Sequence, residues 1–239
     1  MRTEDQYTGT PSPSSIGEAY SFEAVAHTIP APVGTLDYVV LKRAVDILVC
    51  IALLPVILPV CGCIALLIKL NSRGPVFFSH RRIRKSGGFF SMWKFRTICV
   101  NSAEVLEKYL AAHPETREEW NRTRRLPRDP RVNRLGNFLR HYSLDELPQI
   151  WNVLRGEMSL VGPRPIVAGE VEKYGDCFAC YCRVKPGVTG LWQVSGRNAL
   201  TYNERAELDC SYVRDWSLWL DVKIICKTIA CIVNPDGTF

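Results

Sequence analysis

The chain has 239 residues, 47% of them apolar and 10% aromatic, which suits one sizeable folded domain with accessories and excludes a mostly disordered chain. Its 30 Lys and Arg against 24 Asp and Glu give a net charge of +6, moderate in total but clustered. Ten cysteines do not amount to a disulfide framework: Cys50, Cys61, Cys63, Cys226 and Cys231 lie in apolar runs, where a free thiol acts as a small hydrophobe, and the usage fits a reducing cytosolic face.

Residues 1–36 mix Thr, Ser, Pro and Gly without a sustained period and read as a mobile tail. Ile47 to Ile68 is 22 residues without a charge, long enough as a helix to span a bilayer. Pro55 and Pro59 fall near its middle, where each removes a helical hydrogen bond and favours a kink. Lys42 and Arg43 precede the run and Lys69, Arg73 and the 81–85 cluster follow it, so the positive-inside rule puts both ends on the cytoplasmic side. A helix–break–helix hairpin over 37–70, entering and leaving by one face, satisfies both facts; a kinked single span is the alternative. No secretory signal is visible, since the run contains no small-residue cleavage site.

Residues 71–100 carry seven basic side chains and no acidic one, a block suited to anionic lipid or a phosphorylated substrate. A nucleic-acid partner is the rival for any basic patch and is not the expected one here. Pro75 to Phe78 and Phe89 to Ile98 read as extended segments around the Gly87-Gly88 turn. Residues 102–125 read as a charged helix interrupted at Pro114, and Asp129-Pro130 as a turn. Ala168 to Arg183 is again helical. Cys177, Cys180 and Cys182 lack the second pair that a zinc site needs. A final helix over about 203–233 carries Tyr212, Trp216 and Trp219, either as membrane-interface anchors or as parts of a buried core helix.

The chemistry concentrates in residues 143–165. Asp145-Glu146 offers a carboxylate nucleophile and a hard metal ligand. Ser143-x-x-Glu146 also fits a capping box, which Pro148 weakens. With Asp145 as N-cap, Pro148 falls at the third helical position and both carboxylates sit at a helix N-terminus, where the dipole keeps them ionised. Adjacent helical residues point about 100° apart, so the pair need not share a proton. Arg164, between Pro163 and Pro165, is a pre-aimed guanidinium for phosphate. Lys94 and Arg96 alternate around Phe95 on one strand face, Arg140 lies just before the acidic pair, and Arg197 follows Gly196.

Lys42-Arg43-x-x-Asp46, Gly74-Pro75-Val-Phe-Phe78, Lys94-Phe95-Arg96-Thr97, Asp129-Pro130-Arg131-Val132, the 143–165 stretch, Lys185-Pro-Gly-Val-Thr-Gly190 and Ser195-Gly-Arg-Asn198 occur in one order. From about Lys42 to the C-terminus the chain resembles the bacterial sugar transferases, monotopic phosphoglycosyl transferases that initiate exopolysaccharide assembly, and among them the short galactosyl-phosphate transferases. Leu58 stands where that family often has Ser, Arg84 where it has Gly and Ile98 where it has Met.

The resemblance implies an α+β fold: a membrane re-entrant helical hairpin over 37–70, broken at Pro55 and Pro59, plus a mainly helical cytosolic catalytic domain over 71–239 with a few short strands and interfacial helices. It implies transfer of a sugar 1-phosphate from a UDP-sugar donor to undecaprenyl phosphate at the cytoplasmic face of the bacterial inner membrane. Asp145 would carry the covalent phosphosugar, Glu146 would hold Mg²⁺, and Lys94, Arg96, Arg140, Arg164 and Arg197 would contact phosphate. Galactose is the expected sugar and glucose the alternative; a non-catalytic regulator of polysaccharide export is a further one. Inner-membrane lipids, downstream glycosyltransferases and a second copy in a homodimer are the other expected partners, and nucleic acid is not.

Overall fold

The computed structural model describes Val33 and residues 35–123, 126, 129–196 and 199–234. The tail expected over 1–36 therefore lies almost wholly outside the described residues, as does Arg197. Val33 itself is buried beside Tyr38 and Tyr212.

Helix α1 (Leu36–Asn71) begins at Thr35, whose side chain accepts a hydrogen bond from the Tyr38 amide. It runs without interruption through Pro55 and Pro59, so the structure has one helix where the sequence suggested two and a break. Each proline removes only its own donor, and the apolar turns on either side carry the helix across. Only 11% of its most apolar window is buried, so α1 is not a core helix.

Both ends of α1 nonetheless dock on the same globular body. Near the start, Lys42 donates to Asp221 at 2.7 Å, and Arg43 donates to the carbonyls of Val153 and Leu154 at 2.6 and 2.8 Å. Asp46 accepts from the Ser159 hydroxyl and the Leu160 amide. Near the end, Ile64 and Ile68 pack with Phe95 and Leu139. Leu53, Val56 and Leu58, between these anchor points, are exposed.

Strands β1 (Phe77–Ile83) and β2 (Phe89–Phe95) form an antiparallel hairpin whose register pairs Phe78 with Lys94, His80 with Met92 and Arg82 with Phe90. The intervening turn holds Ser86 and Gly87 at positive φ. Helices α2 (Ser102–Ala112) and α3 (Pro114–Thr123) match the charged segment split at Pro114. Asp129 pairs bidentately with Arg131 at 2.8 and 2.7 Å, fixing the turn before α4 (Arg134–His141).

Helix α5 (Gln149–Leu154) packs on the hairpin, burying Val153 with Phe90, Met92 and Met158. Asn152, fully buried, joins the two: its side-chain oxygen accepts from the Trp93 amide and its nitrogen donates to the Ser91 carbonyl. Strand β3 (Ser159–Val161) pairs in parallel with β4 (Gly187–Thr189). Continuing that pairing, the Gly162 amide donates to Thr189 and the Gly187 amide to Pro163. A side chain at Gly162 would meet the Lys185 carbonyl at 2.6 Å, so this close backbone approach requires glycine.

The helical stretch after Ala168 is two short helices, α6 (Val171–Tyr174) and α7 (Cys177–Tyr181), parted at Gly175 with its φ of 49°. The expected single helix over 203–233 is likewise two, α8 (Tyr202–Arg214) and α9 (Leu218–Val233). Ser217 caps α9 by accepting from the Leu220 amide. Trp216 turns inward, stacking edge-on against Tyr38 and donating to Asp221.

Tyr212 is buried, its hydroxyl 2.8 Å from Asp221, and Trp216 is half-buried, so neither sits fully at a surface. Trp219 does, and with Val222, Ile229 and Val233 it forms an exposed apolar stripe at helical spacing. Asp221, Ile224 and Cys231 face the body.

Candidate active site

Direct cross-strand partners and alternate residues share a face of a hairpin. Phe90, Met92 and Lys94 therefore look the same way as Phe78, His80 and Arg82. The first two are core, while Lys94 and Arg82 carry that face past the core into a cleft. Opposite lies the turn Leu144–Glu146, a single 3₁₀ turn entered through Ser143 in the left-handed region at φ 56°. A non-glycine residue held there costs of order 1–3 kcal/mol and is found where a local geometry must be imposed. Leu144 and Leu147 flank the acidic pair and pack toward Ile64 and Ile68 of α1.

Lys94 meets both carboxylates: its ammonium lies 2.5 Å from Glu146 Oε1 and 3.8 Å from Asp145 Oδ2. Asp145 is buried and Glu146 half-buried. Burial pushes the Asp145 pKa above its ordinary value, with the Glu146 charge adding and Lys94 and Arg140 opposing. Glu146 moves the other way: burial alone would raise it, but the Lys94 charge and hydrogen bond, then Arg164 and Arg82, bring it below the usual range. The expected placement of the pair at a helix N-terminus is corrected. The pair precedes α5, whose N-cap is Pro148, and the Lys94 contact to Glu146 sets the two carboxyls apart. Ser143 makes no capping hydrogen bond, so the capping box is not formed.

The cleft is lined by Arg82, Lys94, Glu146, Gln149, Arg164 and Gln193, with Pro165 and Val188, and its free volume is about 10 Å³. Arg164 enters on the segment locked by the β3–β4 pairing and lies 5.6 Å from the Trp192 ring centroid. Arg140 donates to the Thr97 hydroxyl at 2.8 Å, on the Asp145 side. Two carboxylates of unlike acidity, bridged by an ammonium and faced by guanidinium groups, make an arrangement suited to receiving a phosphoryl group.

A family model described as "Bacterial sugar transferase" matches residues 37–235. The chain belongs to that family. It is 44% identical over 199 residues to the UDP-galactose-lipid carrier transferase of Erwinia amylovora, covering 83% of this chain and 42% of that one. It is 45% identical over 198 residues to the exopolysaccharide production protein ExoY of Rhizobium meliloti, covering 83% of this chain and 88% of that one. The UDP-glucose:undecaprenyl-phosphate glucose-1-phosphate transferase of Escherichia coli is 42% identical over 197 residues, covering 79% of this chain and 39% of that one. The chain thus spans under half of the first and third relatives and most of the second.

Of the family motifs, several turn out to hold the fold. Lys42, Arg43 and Asp46 tie α1 to the body, and Asp129 and Arg131 close a turn. Arg96 does not line the cleft. It follows the last residue of β2, where the end of α1 offers unpaired carbonyls, and its guanidinium donates to Ser72 O, Ser72 Oγ and Arg73 O at 3.2, 2.7 and 2.9 Å.

Sequence reasoning passed over Arg82, Gln149 and Gln193. Arg82 donates to the Pro165 carbonyl at 3.1 Å, yet its buried Nε has no partner among the described residues. Its signal was its pairing with Phe90, two steps from Lys94 on the same face, which requires the hairpin register. Among the described residues, no group of three or more His, Cys, Asp and Glu side chains could hold a metal ion.

Proposed function

We propose that this protein transfers a sugar 1-phosphate from a UDP-sugar to undecaprenyl phosphate, opening exopolysaccharide assembly through a covalent aspartyl phosphosugar. The observation that carries the reading is Lys94 bridging Asp145 and Glu146 beside Arg82 and Arg164. An Asp145 oxygen attacks the β-phosphorus; the bond from that phosphorus to the bridging oxygen breaks, and UMP leaves with the electron pair. A phosphate oxygen of undecaprenyl phosphate then attacks the same phosphorus. The bond to Asp145 breaks, restoring the carboxylate and giving a polyprenyl-diphosphate sugar for downstream glycosyltransferases.

A raised pKa makes Asp145 the more basic and so the more nucleophilic carboxylate once ionised. Arg82, Arg164 and Lys94 bind the diphosphate and offset its charge; Arg197 joins them in the proposal. The gap between the Arg82–Lys94 wall and the Arg164–Gln193 wall is narrow and opens to solvent. Mg²⁺ commonly binds through one or two carboxylates plus substrate phosphates and water. Glu146, its pKa lowered and one oxygen engaged by Lys94, fits that role, and the ion would neutralise charge on the diphosphate.

Both ends of α1 bind one body, which supports a re-entrant placement with both ends on the cytoplasmic face of the inner membrane. The Trp219 stripe of α9 supports an interfacial helix beside it. The relatives' names cover both galactose and glucose. The two sugars differ at one hydroxyl, which a site discriminates only if it bonds that hydroxyl, and galactose follows the likeness stated above.

The test incubates full-length protein in lipid with UDP-galactose and UDP-glucose at equal concentration. UMP release, an Asp145-linked phosphosugar when acceptor is withheld, and a galactose-linked lipid product are expected. Asp145→Asn should abolish all three, and EDTA should silence the wild type. Near-normal turnover by Asp145→Asn overturns the mechanism, whereas a predominant glucose product overturns only the sugar.

A further inference from the structure

We infer that the protein holds an anionic phospholipid by its headgroup at the base of α1, in a site separate from the catalytic cleft. A cavity of about 470 Å³ lies there, with Arg43, Lys85 and Lys185 supplying cations and Val39, Val40 and Ile47 supplying an apolar side. It shares no lining residue with the cleft around Glu146. Two further charged groups line it, Lys42 and Asp46. These belong to a buried network in which Lys42 lies 2.7 Å from Asp221 and 3.7 Å from Asp46, one cation between two carboxylates. The three remaining cations outnumber the one negative charge left over.

Arg43 spends two nitrogens on the carbonyls of Val153 and Leu154, neutral acceptors that bring no counter-charge. Lys85 and Lys185 come from separate segments of the chain, one on the β1–β2 turn and the other just before β4, and both are half-buried. Burial, then the like charges of Arg43 and Lys85, lower the Lys185 pKa, with Asp46 opposing. Four cations against two carboxylates leave an excess of positive charge that favours an anion among Arg43, Lys85 and Lys185.

The apolar side decides which anion. Val39 and Val40 are 47% and 58% exposed and continue into the bare surface of α1 through Leu48 and Ile51. A soluble phosphate would use only the cationic wall. A phospholipid uses both, its phosphate on the lysines and its acyl chains along α1. The inference rests on the reading that α1 lies in the bilayer, and the test separates the two.

Full-length protein is reconstituted into phosphatidylcholine vesicles with and without phosphatidylglycerol, and the lipids retained after detergent extraction are measured by native mass spectrometry. Wild type should retain one phosphatidylglycerol in preference to phosphatidylcholine. Basic residues near an anionic surface are worth about 1 kcal/mol each, so Lys85→Gln/Lys185→Gln should lower that preference by roughly tenfold or more. Lys223→Gln/Lys227→Gln, which removes equal charge from α9, should leave it unchanged. Equal losses in both double variants would reduce the effect to general surface charge and overturn the site. Displacement of the lipid by inorganic phosphate would overturn the lipid assignment. Failure of the wild type to float with pure phosphatidylcholine vesicles sinks the membrane reading, whereas flotation without any headgroup preference sinks only this site.

Discussion

Lys94 illustrates how far a residue can be read before its partners are known. Its strand alternation and the family motif that contains it pointed to an anion, and it stands on two carboxylates. Arg96 shared those signals and went elsewhere, because unsatisfied carbonyls at a helix end lie outside any local pattern. Arg96→Ala is therefore expected to cost about 1–3 kcal/mol, on the scale of hydrogen bonds from a charged donor, while leaving the donor KM near wild type. Denaturation midpoints and initial rates check the two halves.

Asp145 makes a second residue-scale prediction. Its folded pKa is raised, so its contribution to stability is full below the ordinary aspartate pKa and is lost as pH rises through the folded value. Asp145→Asn, always neutral, should melt a few degrees higher than wild type at neutral pH, with the gap closing in acid. Thermal melts across pH in one detergent decide it. The acidic pair was legible as chemistry, but its acidity was not, since that depends on burial and on Lys94, which the folded hairpin brings to it.

At the scale of elements, the hairpin and the helices on either side of Pro114 were legible because alternation and proline are local signals. The division of α8 from α9 was not. Asp215, Trp216 and Ser217 contain no glycine or proline, and the break goes with Trp216 reaching Tyr38 on a distant part of the chain and Asp221 in the next helix. The Lys42-Arg43-x-x-Asp46 motif is the reverse case: readable as a motif, yet its first task is to join α1 to α5, β3 and α9. Lys42→Met would leave Asp46 and Asp221 buried without their cation. Removing one partner of a buried ion pair typically costs 3–5 kcal/mol, so this variant should lose about that much stability. Urea titration of Lys42→Met against wild type measures it, and a loss well under 1 kcal/mol would show that the network is not the fastening it is taken for.

For the whole molecule, a long apolar element and a mixed helical body were legible in the sequence, but not the contact between them. Pro55 and Pro59 remain inside a continuous helix, so their proposed effect is on its course through lipid. Replacing both with Leu should favour a straight span and move one end to the periplasm. Labelling of single cysteines at either end, in a background without the native cysteines, reports the side reached; periplasmic labelling of the wild-type N-terminal end would remove the re-entrant reading.

The packing of Ile64 and Ile68 under Leu144 and Leu147 has another consequence. Those two leucines bracket the acidic turn, so the cluster they pack against is built in part by residues of the long apolar helix α1. A chain trimmed to begin at Asn71 for convenient solubility would lack that part of the cluster. It should behave as a loosened fragment with a wandering catalytic turn, not as a smaller enzyme.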